Sequence, residues 1–539
     1  MVSSMRIDRM NQKNMRGSSP EARQEADLFP AQGTFARRQF AGILALMAGV
    51  AAFPRLAEAA VQPKFAAARP FSWDSLVQQA RALAASPWAA PGVSPRAVAD
   101  FDAVGKLTYG QAQALGGNVR LFPAAKGTSP HAVKLHLVEN GSARELLDAR
   151  GLFVGGKAAD PAGFRVMTAD QRSDWMAYLG ASYFRASGSR DQYGLSARGI
   201  AVDTALPKAE EFPSFTEFWI ENLGADHVRI HALLDGPSLT GAYAFDCRKT
   251  ASGAGAGVTQ DVRAALFFRR DIERLGAAPI TSMFWYDQSD SAKRGDWRPE
   301  IHDSDGLALW SGSGERIWVP LTNPSVNRTN ALRADHVKGF GLLQRDQAFD
   351  HYQDDGAYYD RRPSLWVEPQ GDWGAGTVML YRMPTDAETQ DNIAAFWVSD
   401  QPAKAGQNRE FSYRLNWTSQ DPTVGTTARC VDSWQGRAGR PGDTPGAQDA
   451  RKFVFDFEGP TLKGLTRDSG VTAATNLPPK ALLHAAAYPV AGQEGRWRVT
   501  LDVLPSAVPA PEFRLYLKRT SKSGGEQALS ETVIQGVQP

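Results

Sequence analysis

The sequence predicts an all-β protein, a large β-sandwich followed by a smaller, immunoglobulin-like one. Three observations carry this. From about residue 65 to 400, short apolar or alternating runs recur, punctuated by Gly and Pro. There are no alternating helix–strand units and no G-x-G-x-x-G or G-x-x-x-x-G-K-[ST] signature, which argues against the nucleotide-binding α/β classes. A polar, turn-rich stretch at 399–407 then separates this region from a C-terminal part that shows clean period-two alternation. The expected domains are 63–400 and 408–535.

In chain order, residues 1–59 read as a polar leader and an address. Phe35-Ala36-Arg37-Arg38-Gln39-Phe40 precedes an apolar run at 41–53, and Ala57-Glu58-Ala59 offers small residues at signal-peptidase spacing. The paired arginines resemble a twin-arginine signal. The apolar run is too short to span a bilayer, so a periplasmic protein that is not membrane-embedded is expected. Ser72 is placed to cap a helix with Leu76, Val77, Ala80 and Leu83 on one face, and a second short helix is expected to start near Thr108. Lys134-Leu135-His136-Leu137-Val138 and 228–234 alternate as strands. The runs at 264–268 and 377–381 are apolar on both faces, as in strands between layers. In the C-terminal part Phe453, Phe455 and Phe457 share one face, as do Trp497, Val499, Leu501 and Val503, and as do Phe513, Leu515 and Leu517.

Lys plus Arg total 60 against 58 Asp plus Glu, a net charge of +2, and no basic stripe stands out. Nucleic acid is therefore not expected as a partner, and a neutral ligand fits better than a polyanion. The eight histidines occur singly, with no H-x-H or H-E-x-x-H, and neither cysteine has metal-ligand spacing. No metal and no cofactor is expected. Cys247 and Cys430 read as separate buried thiols, with pairing left open. Oligomeric state, a homodimer included, is also open.

Chemistry points to residues 301–397. Carboxylates, tyrosines, arginines and tryptophans alternate there with short apolar runs. Carboxylates supply acid–base chemistry for a glycosidic bond, and aromatic faces pack against pyranose rings. The same mixture suits surface loops on a β scaffold. Asp303-Ser304-Asp305-Gly306 is also a strong turn sequence, and Asp391 also reads as a strand-edge turn.

Ordered blocks at 162–166, 179–185, 192–199, 338–344 and 362–369, with Ile301-His302-Asp303-Ser304-Asp305 and His351-Tyr352-Gln353-Asp354, resemble the OpgG/OpgD (MdoG/MdoD) family of periplasmic glucan biosynthesis proteins. The twin-arginine signal favours the D branch. The resemblance implies a galactose-mutarotase-like β-sandwich followed by an immunoglobulin-like domain. It also implies action on β-1,2-linked osmoregulated periplasmic glucans, by an inverting endo-β-1,2-glucanase or by a related transglycosylase or cyclase. A non-catalytic glucan-binding scaffold is the reading from another class. By the same resemblance Asp391 matches the general acid and Asp303 the general base, while Glu388 and Tyr359 match cleft positions nearby. Asp305 either supports Asp303 or replaces it. Tyr352, Arg362, Tyr193, Arg198 and Trp373 are candidate groove residues, each equally readable as packing. Trp366 reads as core.

Overall fold

The computed structural model describes residues 62–537, except 109, 111, 254, 440–448 and 522–523. The expected leader and twin-arginine signal at 1–59 lie outside the described residues.

The helix Trp73–Ala84 begins where Ser72 predicts. Ser75 N–H donates to Ser72 Oγ at 3.2 Å, and Ser72 N–H donates to Ser75 Oγ at 3.1 Å, a reciprocal cap. Its apolar face buries Leu76 and Ala80. A second helix runs Phe101–Thr108, so Thr108 ends it and does not start it. The sequence reading missed the cap at Asp100, whose Oδ1 accepts from Ala103 N–H at 2.9 Å. Gly110, at φ 138°, then takes the chain out of helical geometry.

Beyond residue 115 the described chain is almost wholly β. One sheet has the spatial order Arg328–Arg333, Gly376–Arg382, Ile393–Ser399, Leu275–Ser282, Ser196–Arg198, Tyr183–Ala186, Asp174–Leu179, Pro161–Met167, Val119–Pro123. The other runs from Lys134–Glu139 through Ser214–Gly224, His227–Asp235, Leu239–Thr250, Gly257–Phe268 and Asn408–Thr418. It continues through Ser364–Pro369, Gly339–Leu343 and Gly306–Trp310 to Arg316–Pro320. The inner faces meet in one core. Phe164 lies edge-on to Phe218 at 5.2 Å between centroids, and Tyr178 edge-on to Phe245 at 5.3 Å.

The alternation at 228–234 has its expected cause, with Val228, Ile230 and Ala232 buried and Arg229 and His231 half-buried. The run at 264–268 is apolar on both faces because the helix Trp73–Ala84 covers its outer side. Ala265 and Phe267 pack there with Leu76 and Ala80. Among the described residues no helix is long and apolar enough to cross a membrane. Both cysteines are buried and unpaired.

The expected boundary before residue 408 falls inside the large sandwich. Asn408–Thr418 pairs with Gly257–Phe268 on one side and with Ser364–Pro369 on the other. Its alternation, with Phe411, Tyr413, Leu415 and Trp417 buried, is that of a central strand covered on one face. The C-terminal part has a core of its own. A sheet ordered Arg429–Arg437, Arg451–Glu458, Arg496–Val503, Leu482–Pro489 packs its phenylalanines and Trp497 with Phe513, Leu515 and Leu517 of Glu512–Thr520. Glu512–Thr520 pairs with Thr532–Gly536, which pairs in parallel with Arg316–Pro320, so the second sheet continues from the large sandwich into the smaller part. Trp366 is core, as expected. It lies so close over Gly339 that a Cβ there would come within 2.2 Å of the indole.

Candidate functional site

Two strands too short to be recognised by pattern, Phe284–Tyr286 and Ile301–His302, form a hairpin that organises the site. Asp303 follows directly, and its N–H donates to the Met283 carbonyl at 2.8 Å. The next residue, Phe284, is held from another direction by Asn392. Its N–H donates to Asn392 Oδ1 at 2.9 Å, and its carbonyl accepts from Asn392 Nδ2 at 3.0 Å. Nδ2 also donates to the Met383 carbonyl at 2.9 Å. Asp391 immediately precedes Asn392. Asp303 and Asn392, the residue after Asp391, are thereby bonded to the adjacent residues Met283 and Phe284.

Asp303 is 0 % exposed, and its carboxylate pairs with the Arg362 guanidinium. Arg362 lies over the Tyr359 ring, 3.8 Å from its centroid, and its Nη2 donates to the Ala357 carbonyl at 3.0 Å. The Tyr359 hydroxyl donates to Glu388 Oε2 at 3.0 Å, and the same oxygen accepts from Arg298 Nη1 at 2.8 Å. Arg298 Nη1 also donates to Asp354 Oδ2 at 2.7 Å. Asp391 is half-buried.

Of the residues expected from sequence, Asp303, Arg362, Tyr359 and Glu388 form one chain of contacts, and Asp391 stands three positions after Glu388. Tyr193 flanks them. Its hydroxyl donates to Asp174 Oδ2 at 2.6 Å, and its neighbour Gly194 lies against the Arg362 side chain. The other four make structural contacts. Tyr352 is 0 % exposed and donates to the Asp346 carbonyl at 3.1 Å, so it is an interior strut. Arg198 contacts the Ala181 carbonyl and the Phe212 ring. Trp373 packs on Trp397, Phe411 and Tyr413, because its strand-flanking position faces the core. Asp305 fixes the neighbouring backbone, its Oδ2 accepting from Asp346 N–H at 2.7 Å.

Sequence reading missed Asn392, Arg298, Asp296 and Asp354. The signal for Arg298 was within reach, since Arg298-Pro299-Glu300 runs straight into the block that begins at Ile301.

Beneath Asp303 lies an acidic layer. A cavity of about 50 Å³ is lined by Asp287, Glu300, His302, Asp305, Asp346 and, from the C-terminal part, Asp432. Glu300, Asp346 and His351 place potential ligand atoms within 4.8 Å of one another, a grouping that brings Glu300 to the 346–351 segment. Burial, which lowers the His302 value, is outweighed by its Glu300 hydrogen bond and the charges of Glu300 and Asp305, and the imidazolium is lifted to about 9. Burial pushes Asp305 up to about 7, against the opposing charge of His302. Burial also raises Asp287 and Asp432 to about 6, helped by Asp290 in the first case and Asp346 in the second.

All four groups hold a proton more tightly when folded. Their stabilising contributions are complete below the unfolded values and are lost as pH rises through the folded ones. Thermal melts should therefore show stability falling between about pH 4 and 9, with the aspartates acting up to about 7 and His302 above that. His302→Gln should flatten the upper part of that fall. A melting temperature that rises across this window would contradict the assignment.

Comparison with known proteins adds a second line. The family described as "Periplasmic glucan biosynthesis protein, MdoG" matches residues 71–535. Glucans biosynthesis protein D 2 of Ralstonia nicotianae is 41% identical over 534 residues, covering 93% of this chain and 96% of the relative. Glucans biosynthesis protein D 1 of the same organism is 42% identical over 529 residues, covering 91% and 96%. Glucans biosynthesis protein D of Stenotrophomonas maltophilia is 40% identical over 494 residues, covering 87% and 90%. Among solved structures, a galactose mutarotase related enzyme from Lactobacillus acidophilus aligns at 7% identity and a TM-score of 0.21, covering 53% of this chain and 97% of that one. A likeness that low carries no argument.

Proposed function

Because the chain belongs to the periplasmic glucan biosynthesis protein MdoG family, we propose that it is an anomer-inverting endo-β-1,2-glucanase acting in the periplasm on the backbones of osmoregulated periplasmic glucans. The paired arginines at 37–38 would take it there through the twin-arginine route. The observation that supports the reading is that Asp303 and Asn392, the residue after Asp391, are bonded to the adjacent Met283 and Phe284.

Hydrolysis of an acetal needs a proton on the leaving oxygen and a water activated on the opposite face. In inverting enzymes the two carboxyl groups stand roughly 6.5–9.5 Å apart to admit that water. Asp391, the more accessible of the pair, is the general acid. Asp303 is the general base, its negative charge held by Arg362. Glu388 stands three positions before Asp391, fixed between Arg298 and Tyr359.

Asp303 is fully buried, and either hydrolysis or transfer in this site must bring the attacking hydroxyl to it. Water reaches it only along hydrogen-bonded groups or after the segment carrying Tyr359 and Arg362 moves. Where water is excluded, a sugar hydroxyl takes its place and the reaction is transglycosylation. Purified protein incubated with linear β-1,2-glucan, with oligosaccharides followed by chromatography, decides. Short linear products mean hydrolysis, and cyclic or rearranged ones mean transfer. Unchanged glucan defeats both readings and leaves a binding role.

A further inference from the structure

We propose that Arg298 is the positioning residue of this site, one guanidinium that sets the acid-bearing segment against the segment that holds the base. The inference rests on the glucanase reading above. Neither residues 353–358 nor residues 383–392 are paired in a sheet, so side chains must fix their relative placement. Arg298 reaches both. Its Nη1 donates to Glu388 at 2.8 Å, three positions before Asp391, and to Asp354 at 2.7 Å.

From Asp354 the connection runs on to the base. Asp354 Oδ1 accepts from Gly356 N–H at 2.9 Å and from Ala357 N–H at 2.5 Å. The Ala357 carbonyl accepts from Arg362 Nη2 at 3.0 Å, and Arg362 pairs with Asp303. On its other side the guanidinium is clasped by Asp296, through Nε at 3.0 Å and Nη2 at 2.9 Å. Asp296 also accepts the Arg298 backbone N–H at 2.9 Å, so the fork cannot swing.

The chemistry requires arginine. A planar fork bonds three carboxylates in fixed directions, whereas an ammonium supplies a point charge on a flexible stem. The side chain is only 13% exposed, so solvent screens these pairs weakly. The hydrogen bond from Arg298 holds the Asp296 carboxyl below its usual range. At Asp354 burial acts upward, but the Ala357 N–H and Arg298 outweigh it. Without the guanidinium, Asp296, Asp354 and Glu388 lose the one cation that all three share.

The test compares wild type with Arg298→Gln, Arg298→Lys and Asp354→Asn on linear β-1,2-glucan, reading kcat, KM, the pH–rate profile and the melting temperature. Arg298→Gln should lose about 100-fold in kcat with KM changed less than about threefold, because geometry and not substrate affinity is lost. Arg298→Lys should recover less than about a tenth of the lost rate. Asp354→Asn should lower kcat while keeping its melting temperature near the wild-type value.

The inference is overturned if wild type cleaves glucan and Arg298→Gln keeps its kcat, changes KM alone, or loses activity only in step with its folded fraction. If Arg298→Gln does not fold, an unchanged kcat in Asp354→Asn overturns it. An inactive wild type overturns the glucanase reading, and this one with it.

Discussion

Asp391→Asn and Asp303→Asn should each lower turnover of β-1,2-glucan by about 10³-fold, as expected when a general acid or base is neutralised. The two variants should differ in stability. At 391 the backbone anchors are made by Asn392, which the substitution leaves in place. Asp391→Asn should therefore melt close to wild type. At 303 the backbone bond to Met283 survives, but the buried Arg362 loses its anionic partner. An unpaired buried charge costs on the order of 3–5 kcal/mol, so Asp303→Asn should melt clearly lower while still folding. Chromatographic product analysis and thermal melts on the same preparations check both statements. Wild-type rates in either variant would remove that residue from the mechanism.

The second large effect lies at the junction of the large sandwich with the C-terminal part. Arg345 is almost fully buried. It pairs with Asp421 at 2.8 Å and with Glu531 at 2.6 Å, and donates to the Cys430 carbonyl at 2.7 Å. Its guanidinium also lies over the Trp318 ring, 3.7 Å from the centroid. Burial acts upward on Asp421, but the charges of Arg345 and Arg429 outweigh it and hold the carboxyl down to about 2. Arg345→Leu leaves two buried carboxylates facing each other, one with only Arg429 as its remaining cation. We expect a loss of roughly 3–5 kcal/mol in urea or thermal unfolding. The C-terminal part should loosen first, because Glu531 and Cys430 lie on that side of the junction. A variant as stable as wild type would show that the pair contributes no more than a hydrophobic replacement would.

Much of the fold was legible in the sequence because its signals are local. Ser72 announced a helix, and period-two alternation announced the strands at 228–234, 453–457, 497–503 and 513–517. Pairing was not legible. Asn408–Thr418 looks like the opening strand of a new domain, and only its partners reveal that it belongs to the first. The parallel pairing of Arg316–Pro320 with Thr532–Gly536 joins segments that no local rule connects.

The candidate site divides in the same way. Asp303, Glu388 and Tyr359 came from motif resemblance and Arg362 from the groove candidates, and these four form one chain of contacts. Trp373 and Tyr352 were chosen as aromatic and polar residues near the motif, yet tertiary packing turns both inward. Arg298 and Asn392 hold the site together through bonds whose partners are distant in sequence. Such bonds leave no periodicity and no spacing to read.

The most direct test of the central claim is the configuration of the reducing end that wild-type protein first releases from linear β-1,2-glucan, followed by proton NMR before mutarotation scrambles it. Asp391 protonating the linkage while Asp303 activates a water on the opposite face predicts the α-anomer. The β-anomer as first product would contradict this assignment of the two aspartates.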